Sequence, residues 1–493
     1  MRSSEWFVPG RTALLITLAL ILSACGGSSS SPGVDPDPDP DPVSTASLSG
    51  IAATGAPIDG ATVEAFDATG AALDLVDAVT GSDGGYSVEI PLATGFPVLL
   101  RIMASDGTVL TAIANQPPAA DGDVVLAHVN PVTDLVAGEL LGESVENPSE
   151  LAAALGGLDP GEPAASGEAV MQDLFGTAVS FERFASDAEF AAKTGDTSGS
   201  LADAMLDVLG NRARESEQGV MTLLAELRDQ PDPPRLLEAP GFQVELLAER
   251  IREGIDTPEA LGTELRAFGA LSEDPGDPAD DTLEALVVTV PAVLSAVREQ
   301  AGSEISDPAL VDLAANAATR TLRDALQLKR DRFAADDASI AATASGAGFR
   351  DGIISLVGST LTPLLSAVAT AAGDDGVAEA TRSALARVSQ RIAEEAARAI
   401  SALDLNREDV AVVEIARRFL HQRLAGVDAE TIAGIASGEV DLDQRLPASA
   451  DIRDVQAALR QILTDDPSLG DDTLIALATG RWNEDSWNEF IWH

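Results

Sequence analysis

The sequence is poor in the residues that most often carry catalysis. It contains one cysteine and three histidines, and its only lysines are Lys193 and Lys329. A single cysteine excludes a disulfide within the chain, so packing has to supply the stability of any exported domain. Three scattered histidines form no His-Glu-x-x-His motif and are too few for a histidine-based zinc site. These shortages disfavour zinc hydrolases and disulfide-stabilised scaffolds.

Motifs of other enzyme classes are also absent. No serine lies in a Gly-x-Ser-x-Gly elbow, and no glycine-rich loop ends in Gly-Lys-Ser or Gly-Lys-Thr. Aromatic residues make up 4% of the chain, which disfavours sugar-binding clefts because these need stacking surfaces. We interpret His128, His421 and His493 as structural or surface residues. We therefore expect no catalytic site, cofactor or metal, although carboxylate-pair chemistry stays open among 80 acidic residues.

The charge balance is strongly acidic, with a formal net charge of −49. A field of that sign repels nucleic acid and anionic lipid surfaces, and it favours cations and basic partners. The acidic clusters Asp121–Asp123 and Asp274–Asp281 are candidates for calcium, but neither has the spacing of an EF-hand loop. We interpret the charge mainly as a source of solubility and expect no nucleic-acid partner.

Long hydrophobic runs are scarce. The N-terminal run Ala13–Leu22 is ten residues long, whereas a membrane span needs about 20. Arg2 and Arg11 precede this run, and the small residues Ser23 and Ala24 follow it. A secretory signal has a basic segment, then an apolar segment, then small residues. Residues 1–24 follow this order and are predicted to be a secretory signal.

The residues at the end of this signal carry a first resemblance. Leu22-Ser23-Ala24-Cys25 resembles the lipobox of bacterial lipoproteins. That resemblance implies cleavage before Cys25, a diacylglycerol on its sulfur, and an acylated amino terminus in the membrane. Gly26, where an aspartate would indicate inner-membrane retention, favours the outer membrane. The alternative is an ordinary secretory signal with a chance cysteine.

Residues 25–45 are predicted to be a lipidated tether. Gly26–Ser31 is a flexible stretch rich in glycine and serine, and Asp35–Pro42 consists of Asp-Pro repeats. Proline fixes its own φ and favours an extended residue before it, so the repeats are expected to form a stiff spacer. The spacer would hold the following domains away from the membrane.

Residues 46–129 have the pattern of a small antiparallel β-sandwich. Short β-type runs alternate with turns rich in glycine and aspartate. In one run Tyr86, Val88 and Ile90 alternate with Ser87 and Glu89, as expected for a strand with one buried face. The predicted strands are Ser47–Ala53, Thr62–Asp67, Tyr86–Ile90, Pro97–Ala104, Val109–Ala114 and Val124–Val129.

The same region carries a second resemblance. The segments Ser49-Gly50, Gly55–Val63 and Asp83–Val88 are similar to motifs of the carboxypeptidase regulatory-like domain, a transthyretin-like β-sandwich. The resemblance implies an accessory module without catalytic residues of its own. The scaffold positions that it implies are two turn glycines and a half-buried aromatic residue: Gly60, Gly84 and Tyr86.

Residues 130–493 are predicted to be almost entirely helical. Asn130 can cap a helix whose first turn holds Pro131, and alanine and leucine dominate the rest of the chain. Breaks near 230–242 or 273–281 are candidate subdomain boundaries. The predicted helices are Leu201–Arg228, Val244–Glu253, Pro258–Phe268, Asp281–Gln300, Pro308–Arg332, Gly376–Leu403, Arg407–Ala425, Ile452–Thr464 and Asp472–Thr479.

Three apolar or aromatic segments suggest a role in membrane insertion or in docking to a partner. Gly352–Gly373 is rich in serine and threonine and contains Pro363, and Ala285–Val297 is short, so both are interpreted as core helices. Trp482, Trp487 and Trp492 give the C-terminus an unusual aromatic content. This tail is expected to pack on the helices, and the alternative is that it docks to a partner or to the membrane interface.

Together these patterns predict a multidomain protein, a small β-sandwich followed by a large all-α region. We expect a lipid-anchored protein of the bacterial envelope, periplasmic or surface-exposed, with a binding or structural role. Its partners would be the membrane, through the acyl chains on Cys25, and an envelope or extracellular protein. The alternatives are an envelope hydrolase that uses unidentified carboxylates and a periplasmic assembly factor.

Overall fold

The structure, a computed structural model, describes residues 44–333 except 77, 143–147, 177–178, 196, 232, 234, 275 and 278–279. It also describes residues 384, 385, 387, 388, 391, 392, 395, 396 and 399. Several predictions lie outside these residues. They concern the signal and Cys25, most of the tether, residues 352–373, His421, His493, the tryptophan tail, and the helices predicted at 407–425, 452–464 and 472–479.

The first part of the described chain is a β region of two three-stranded sheets, in the orders β3-β1-β6 and β2-β4-β5. All pairings are antiparallel except that of β1 with β6, which is parallel. Each strand overlaps its predicted span, although β1 already begins at the end of the predicted tether. The strands are β1 Thr45–Ile51, β2 Thr62–Phe66, β3 Gly85–Pro91, β4 Val98–Met103, β5 Val109–Ala114 and β6 Val124–Leu126.

The two sheets pack face to face around a shared apolar core. Leu48 and Ile90 of the first sheet and Leu100 and Ile102 of the second are fully buried in it. Leu99 points away from this core and is also buried, because it packs against the first two helices. A sheet covered on both faces explains why β4 begins with three consecutive buried apolar residues, Val98–Leu100, rather than with an alternating pattern.

Strand β3 shows the predicted alternation, with Tyr86, Val88 and Ile90 buried and Ser87 and Glu89 exposed. The resemblance implies a half-buried Tyr86, but the structure shows this residue to be only 5% exposed. Its hydroxyl donates a hydrogen bond to the carbonyl of Ala127, which satisfies a polar group inside the core.

The helical part begins at Asn130, as predicted. Its side-chain oxygen accepts the backbone N–H groups of Val132 and Thr133, and the Thr133 hydroxyl accepts the N–H of Asn130. This reciprocal cap starts the first helix, α1 (Pro131–Leu141), which packs directly on β5. From Ser44 onward the described residues form one compact unit, so the β region and the helices share a packed boundary.

Ten helices follow the β region among the described residues. The prediction of one helix over 201–228 is wrong in part, because the chain turns after Glu215 and Glu217 has a φ of +55°. Four helices before residue 186 had no predicted span, although the start of the first was predicted at Asn130. The helices are α1 Pro131–Leu141, α2 Pro148–Gly157, α3 Glu162–Leu174, α4 Glu182–Ala185, α5 Leu201–Glu215, α6 Val220–Arg228, α7 Pro240–Arg252, α8 Pro258–Phe268, α9 Asp281–Glu304 and α10 Pro308–Phe333.

The helical core is centred on α7, which packs against α5, α9 and α10. Phe175, Phe184 and Phe242 are fully buried there, and α9 carries Pro291 on its buried face. In the segment where a helix was predicted at 376–403, the described apolar residues Leu385, Val388, Ile392, Ala396 and Ala399 are buried in the same core. Among the helices that the structure describes, each is too short or too polar to cross a membrane.

Candidate functional site

Two helices bring four carboxylates together inside the helical core. Asp203 and Asp207 lie one turn apart on α5, so they share a face, and Glu249 and Glu253 are spaced in the same way at the end of α7. One carboxylate oxygen from each of Asp207, Glu249 and Glu253 lies within 4.8 Å of the other two. We call these four residues the carboxylate cluster.

Three basic side chains face the carboxylate cluster. Lys193 Nζ lies 2.8 Å from Glu249 Oε1 and 3.6 Å from Glu253 Oε1. Arg252 pairs with Glu249 at 2.7 Å, and Arg250 pairs with Glu253 and Glu264. Because Glu249 and Glu253 hold most of these contacts, the two aspartates of the cluster are the less compensated members.

Some oxygens of the cluster are buried and accept no hydrogen bond from any residue that the structure describes. Asp203 is 0% exposed; its Oδ2 accepts the N–H of Lys193 at 2.7 Å, while its Oδ1 has no partner. The side chain of Glu253 is also fully buried, and its Oε1 has no hydrogen-bond donor. Buried polar atoms without partners cost free energy and are rare in folded proteins, so they mark a place where something specific is needed.

The cluster holds protons more tightly than isolated carboxylates do. Burial, together with the negative charges of Asp207 and Glu253, raises the pKa of Asp203 to about 8. Burial and the charge of Glu249 raise the pKa of Asp207 to about 7, and burial also raises the pKa of Glu253. Around neutral pH the cluster therefore takes up protons unless another cation compensates its charge.

A charged cleft adjoins the cluster, between α5, α7 and α10. Its volume is about 390 Å³. Glu249 and Arg252 belong to both the cleft and the surroundings of the cluster, so the two features are continuous. The cleft is lined by Val208, Asn211, Arg214, Glu215, Glu245, Glu249, Arg252, Asn316, Thr319, Arg320 and Arg323.

Most of the arginines in this cleft are fixed by acidic neighbours. Arg323 Nη1 lies 2.8 Å from both Glu215 and Glu245, and Arg320 lies 3.3 Å from Glu215. Arg214 differs, because within the described part of the chain it makes no ion pair. Its guanidinium instead donates to the Asn211 side chain and to the Gly210 carbonyl. Among the arginines of the cleft, Arg214 is therefore the one best able to donate hydrogen bonds to an added anion.

His128 has the structural role expected for it. It is 3% exposed and stacks on Phe190 with a ring-centroid distance of 4.7 Å. Its Nδ1 accepts the N–H of Ile51 at 3.1 Å, so the ring proton is on Nε2, which donates to the Asp187 carbonyl at 2.8 Å. Both ring nitrogens are occupied, and burial lowers the pKa of this imidazole.

The acidic clusters singled out in the sequence stabilise loops. Asp121 accepts the N–H of Thr45, and Asp123 accepts the N–H groups of Ala119 and Ala120. In the second segment Asp280 accepts the N–H of Ser272. These carboxylates act as local backbone caps.

Sequence reasoning missed the carboxylate cluster. Two signals pointed toward it: acidic residues four apart on helices, at 203 and 207 and at 249 and 253, and the position of Lys193 as one of two lysines. Neither signal shows that α5 and α7 pack against each other, which is what brings the four acids together.

Comparisons of the chain with protein-family models, with curated proteins and with solved structures give no match. The resemblances of residues 22–25 and 46–129 therefore stay predictions from their motifs. Any function has to follow from the chemistry of the site itself.

Proposed function

We propose that this protein is a lipid-anchored binding protein of the bacterial envelope, and that it binds a small anionic ligand in the cleft between α5, α7 and α10. In this proposal the acyl chains on Cys25 hold the chain at the membrane. Residues 25–45 act as a spacer, and the unit that begins at Ser44 carries the binding site.

The observation that carries the binding role is the position of Arg214 in the cleft. A chain of net charge −49 repels anions at long range, so an anion needs local, geometrically matched donors to bind. Arg214 has guanidinium capacity that no described carboxylate uses, and Asn211 and Asn316 line the same cleft with amide groups. A guanidinium with neighbouring amides suits a carboxylate or a phosphate group.

The lining supports binding rather than nucleophilic catalysis. Its described members include no histidine, cysteine or serine, and the hydroxyl of its one threonine, Thr319, donates to the Ala315 carbonyl. Arg320 and Arg323 are held in place by ion pairs with Glu215 and Glu245. Side chains that are already oriented lose less conformational entropy when a ligand binds.

The binding role can be tested on the full mature chain with citrate and inorganic phosphate as probes. Isothermal titration calorimetry should detect binding that weakens with salt, and Arg214→Ala should weaken it at least tenfold. Arg235→Ala is the matched control, because Arg235 is exposed and, among the described residues, forms its ion pair with nearby Glu238. Equal affinity of the Arg214→Ala variant and the wild type would contradict the assignment of the cleft.

The anchor is tested separately by metabolic labelling with an alkyne-bearing palmitate. The wild-type chain should become labelled and fractionate with membranes. A Cys25→Ala variant should remain unlabelled and soluble. Labelling that persists without Cys25 would contradict the anchor while leaving the proposed binding role of the cleft unaffected.

A hydrolase is the second candidate function, and one observation favours it. The pKa of Asp207, at about 7, suits a general acid or base, and Asp207 lies beside Glu249 and Glu253. A screen with chromogenic ester, glycoside and phosphate substrates tests this role. Activity that Asp207→Asn abolishes would favour the hydrolase, and equal or absent activity in both proteins would count against it.

A further inference from the structure

We propose that Asp207, Glu249 and Glu253 form a calcium site, at which the ion replaces the ammonium group of Lys193. This site is distinct from the anion-binding role of the cleft, although Glu249 borders both. Bound calcium would join the end of α7 to the middle of α5 and would tighten the contact between these helices.

The spacing of the carboxylates fits calcium better than magnesium. Calcium binds oxygen at about 2.3–2.6 Å, so two of its ligands lie at most about 5 Å apart. The oxygens of Asp207, Glu249 and Glu253 lie within 4.8 Å of one another, which a central calcium ion can span. Magnesium requires near-ideal octahedral geometry at about 2.0–2.1 Å and releases its waters reluctantly, so it is less suited than calcium to three carboxylates from two helices.

Buried oxygens without hydrogen-bond donors are an independent indication that the cluster binds a cation. Within the described part of the chain Glu253 Oε1 has no hydrogen-bond donor. Its side chain is fully buried, and this oxygen faces Lys193 Nζ across 3.6 Å. That distance is too long for a hydrogen bond, so the ammonium group only partly serves this oxygen. Asp203, one turn from Asp207 on the same face of α5, adds a second buried oxygen without a donor.

The excess of negative charge around the cluster favours a divalent cation. With every acid ionised and Lys193 displaced, the five local carboxylates outnumber the two local arginines by three. A calcium ion would reduce this excess to one, whereas the ammonium group that it replaces reduces it only to two. The acids counted are Asp203, Asp207, Glu249, Glu253 and Glu264, and the arginines are Arg250 and Arg252.

Lys193 is able to leave the site. Its side chain is 35% exposed, so the ammonium group has a path from Glu249 into solvent. Its backbone N–H bonds Asp203 independently of its side chain, so the loop stays attached when the side chain moves. Removing the ammonium group should therefore strengthen calcium binding without removing a ligand.

The test is a titration of the full mature chain, first freed of metal with a chelator, with calcium chloride. We expect a saturable calorimetric signal and a rise in the melting temperature. Equimolar magnesium chloride should have a smaller effect, and sodium chloride at matched ionic strength should have none. Asp207→Asn should weaken calcium binding at least tenfold, whereas Glu226→Gln, at an exposed position of α6, should not change it.

A second variant protects the test against misfolding. Lys193→Met keeps all the proposed ligands and removes the competing cation, so it should bind calcium at least as tightly as the wild type. Absence of calcium binding in both the wild type and Lys193→Met would overturn the proposal. So would unchanged calcium affinity in a folded Asp207→Asn variant. Arg214→Ala should leave calcium binding intact, which separates this proposal from the proposed function.

Discussion

The carboxylate of Asp134 on α1 accepts two hydrogen bonds from Thr111 on β5, one from its backbone N–H at 2.7 Å and one from its hydroxyl at 2.6 Å. The hydroxyl of Thr133, the preceding residue, lies 3.2 Å from the Thr111 carbonyl and 2.9 Å from the Asn130 carbonyl, and it shares its one proton between these two acceptors. A single position of the sandwich is thus tied to the first turn of the helical region. This contact joins the β region to the helices.

Loss of the Asp134 acceptor should destabilise that junction. Asp134→Ala leaves a backbone N–H without its partner in a partly buried place, and we expect a loss of about 1–3 kcal/mol in the free energy of unfolding. Asp134→Asn is the matched control, because its amide oxygen can still accept. Urea denaturation of both variants measures the difference, and equal losses would contradict this role for the acceptor.

Gly50 should tolerate no side chain. A Cβ at this position would lie 1.7 Å from the Ala127 carbonyl oxygen and 2.8 Å from the Tyr86 hydroxyl. Gly50→Ala should therefore cost roughly 3 kcal/mol, since strand β1 and the backbone of Ala127, which follows β6, have to move apart.

Gly138, in the interior of α1, provides the opposite case. A Cβ there meets no atom within 4 Å, and alanine is the better helix former. Gly138→Ala should be stabilising by about 0.5–1 kcal/mol. Thermal unfolding compares the two variants, and similar effects at both glycines would contradict the close approach at Gly50.

His128 should make stability depend on pH in the acidic range. Burial lowers its pKa in the folded state, so the unfolded chain binds a proton there more readily. The stabilising contribution of the neutral ring is therefore present above pH 6.5 and is lost as the pH falls through the lower, folded-state pKa. The Asp187 carbonyl accepts a hydrogen bond from the ring, and this bond and the negative charge of Asp187 oppose the effect of burial on the pKa without cancelling it.

His128→Asn isolates this effect, because asparagine does not titrate and can still accept the N–H of Ile51. The difference in unfolding free energy between the wild type and this variant should shrink or reverse as the pH falls below 6.5. Urea denaturation at several pH values measures it. A difference that is constant with pH would show that the ring does not titrate with folding.

Asp203 should make folding stability depend on pH in the opposite direction. Its pKa of about 8 in the folded state exceeds the ordinary value of 3.8, so the protonated form stabilises the fold. That contribution is fully present below about pH 3.8 and is lost as the pH rises through about 8. Asp207 and Glu253 repel its charge, Arg250 attracts it, and the backbone of Lys193 donates to it.

Asp203→Asn removes this titration and keeps an oxygen for the N–H of Lys193. In the presence of a chelator, its stability relative to the wild type should increase between about pH 5 and about pH 8.5. Chemical denaturation at both pH values measures the change. A relative stability that does not change would contradict the raised pKa of Asp203.

Protease accessibility on intact and permeabilised cells should locate the helical region. We expect cleavage of the anchored chain on intact cells if it acts outside, and protection until permeabilisation if it acts in the periplasm. A Cys25→Ala variant, recovered from the soluble fraction, is the control for the anchor. Protection under both conditions would contradict an envelope location.

Much of the local structure was predictable from residues close together in the chain. The alternation of Tyr86, Val88 and Ile90 predicts the buried face of β3, because side chains alternate across a strand. Asn130 followed by Pro131 predicts the start of α1, because both suit the first turn of a helix. The end of α5 was not predicted, since the turn at Ser216–Gly219 has no proline and interrupts a continuous helical pattern.

The sequence by itself determined the order of the parts, a β region followed by helices, together with a strong excess of negative charge. Only the tertiary structure decided where that charge is concentrated. Asp207 and Glu249 are far apart in the chain, and they meet because the apolar faces of α5 and α7 are buried against each other. Hydrophobic packing is not directional, so a pattern of apolar residues shows which face of a helix is buried but not which helix it meets. The partner helix decides which acids share a site, and burial then changes their pKa values.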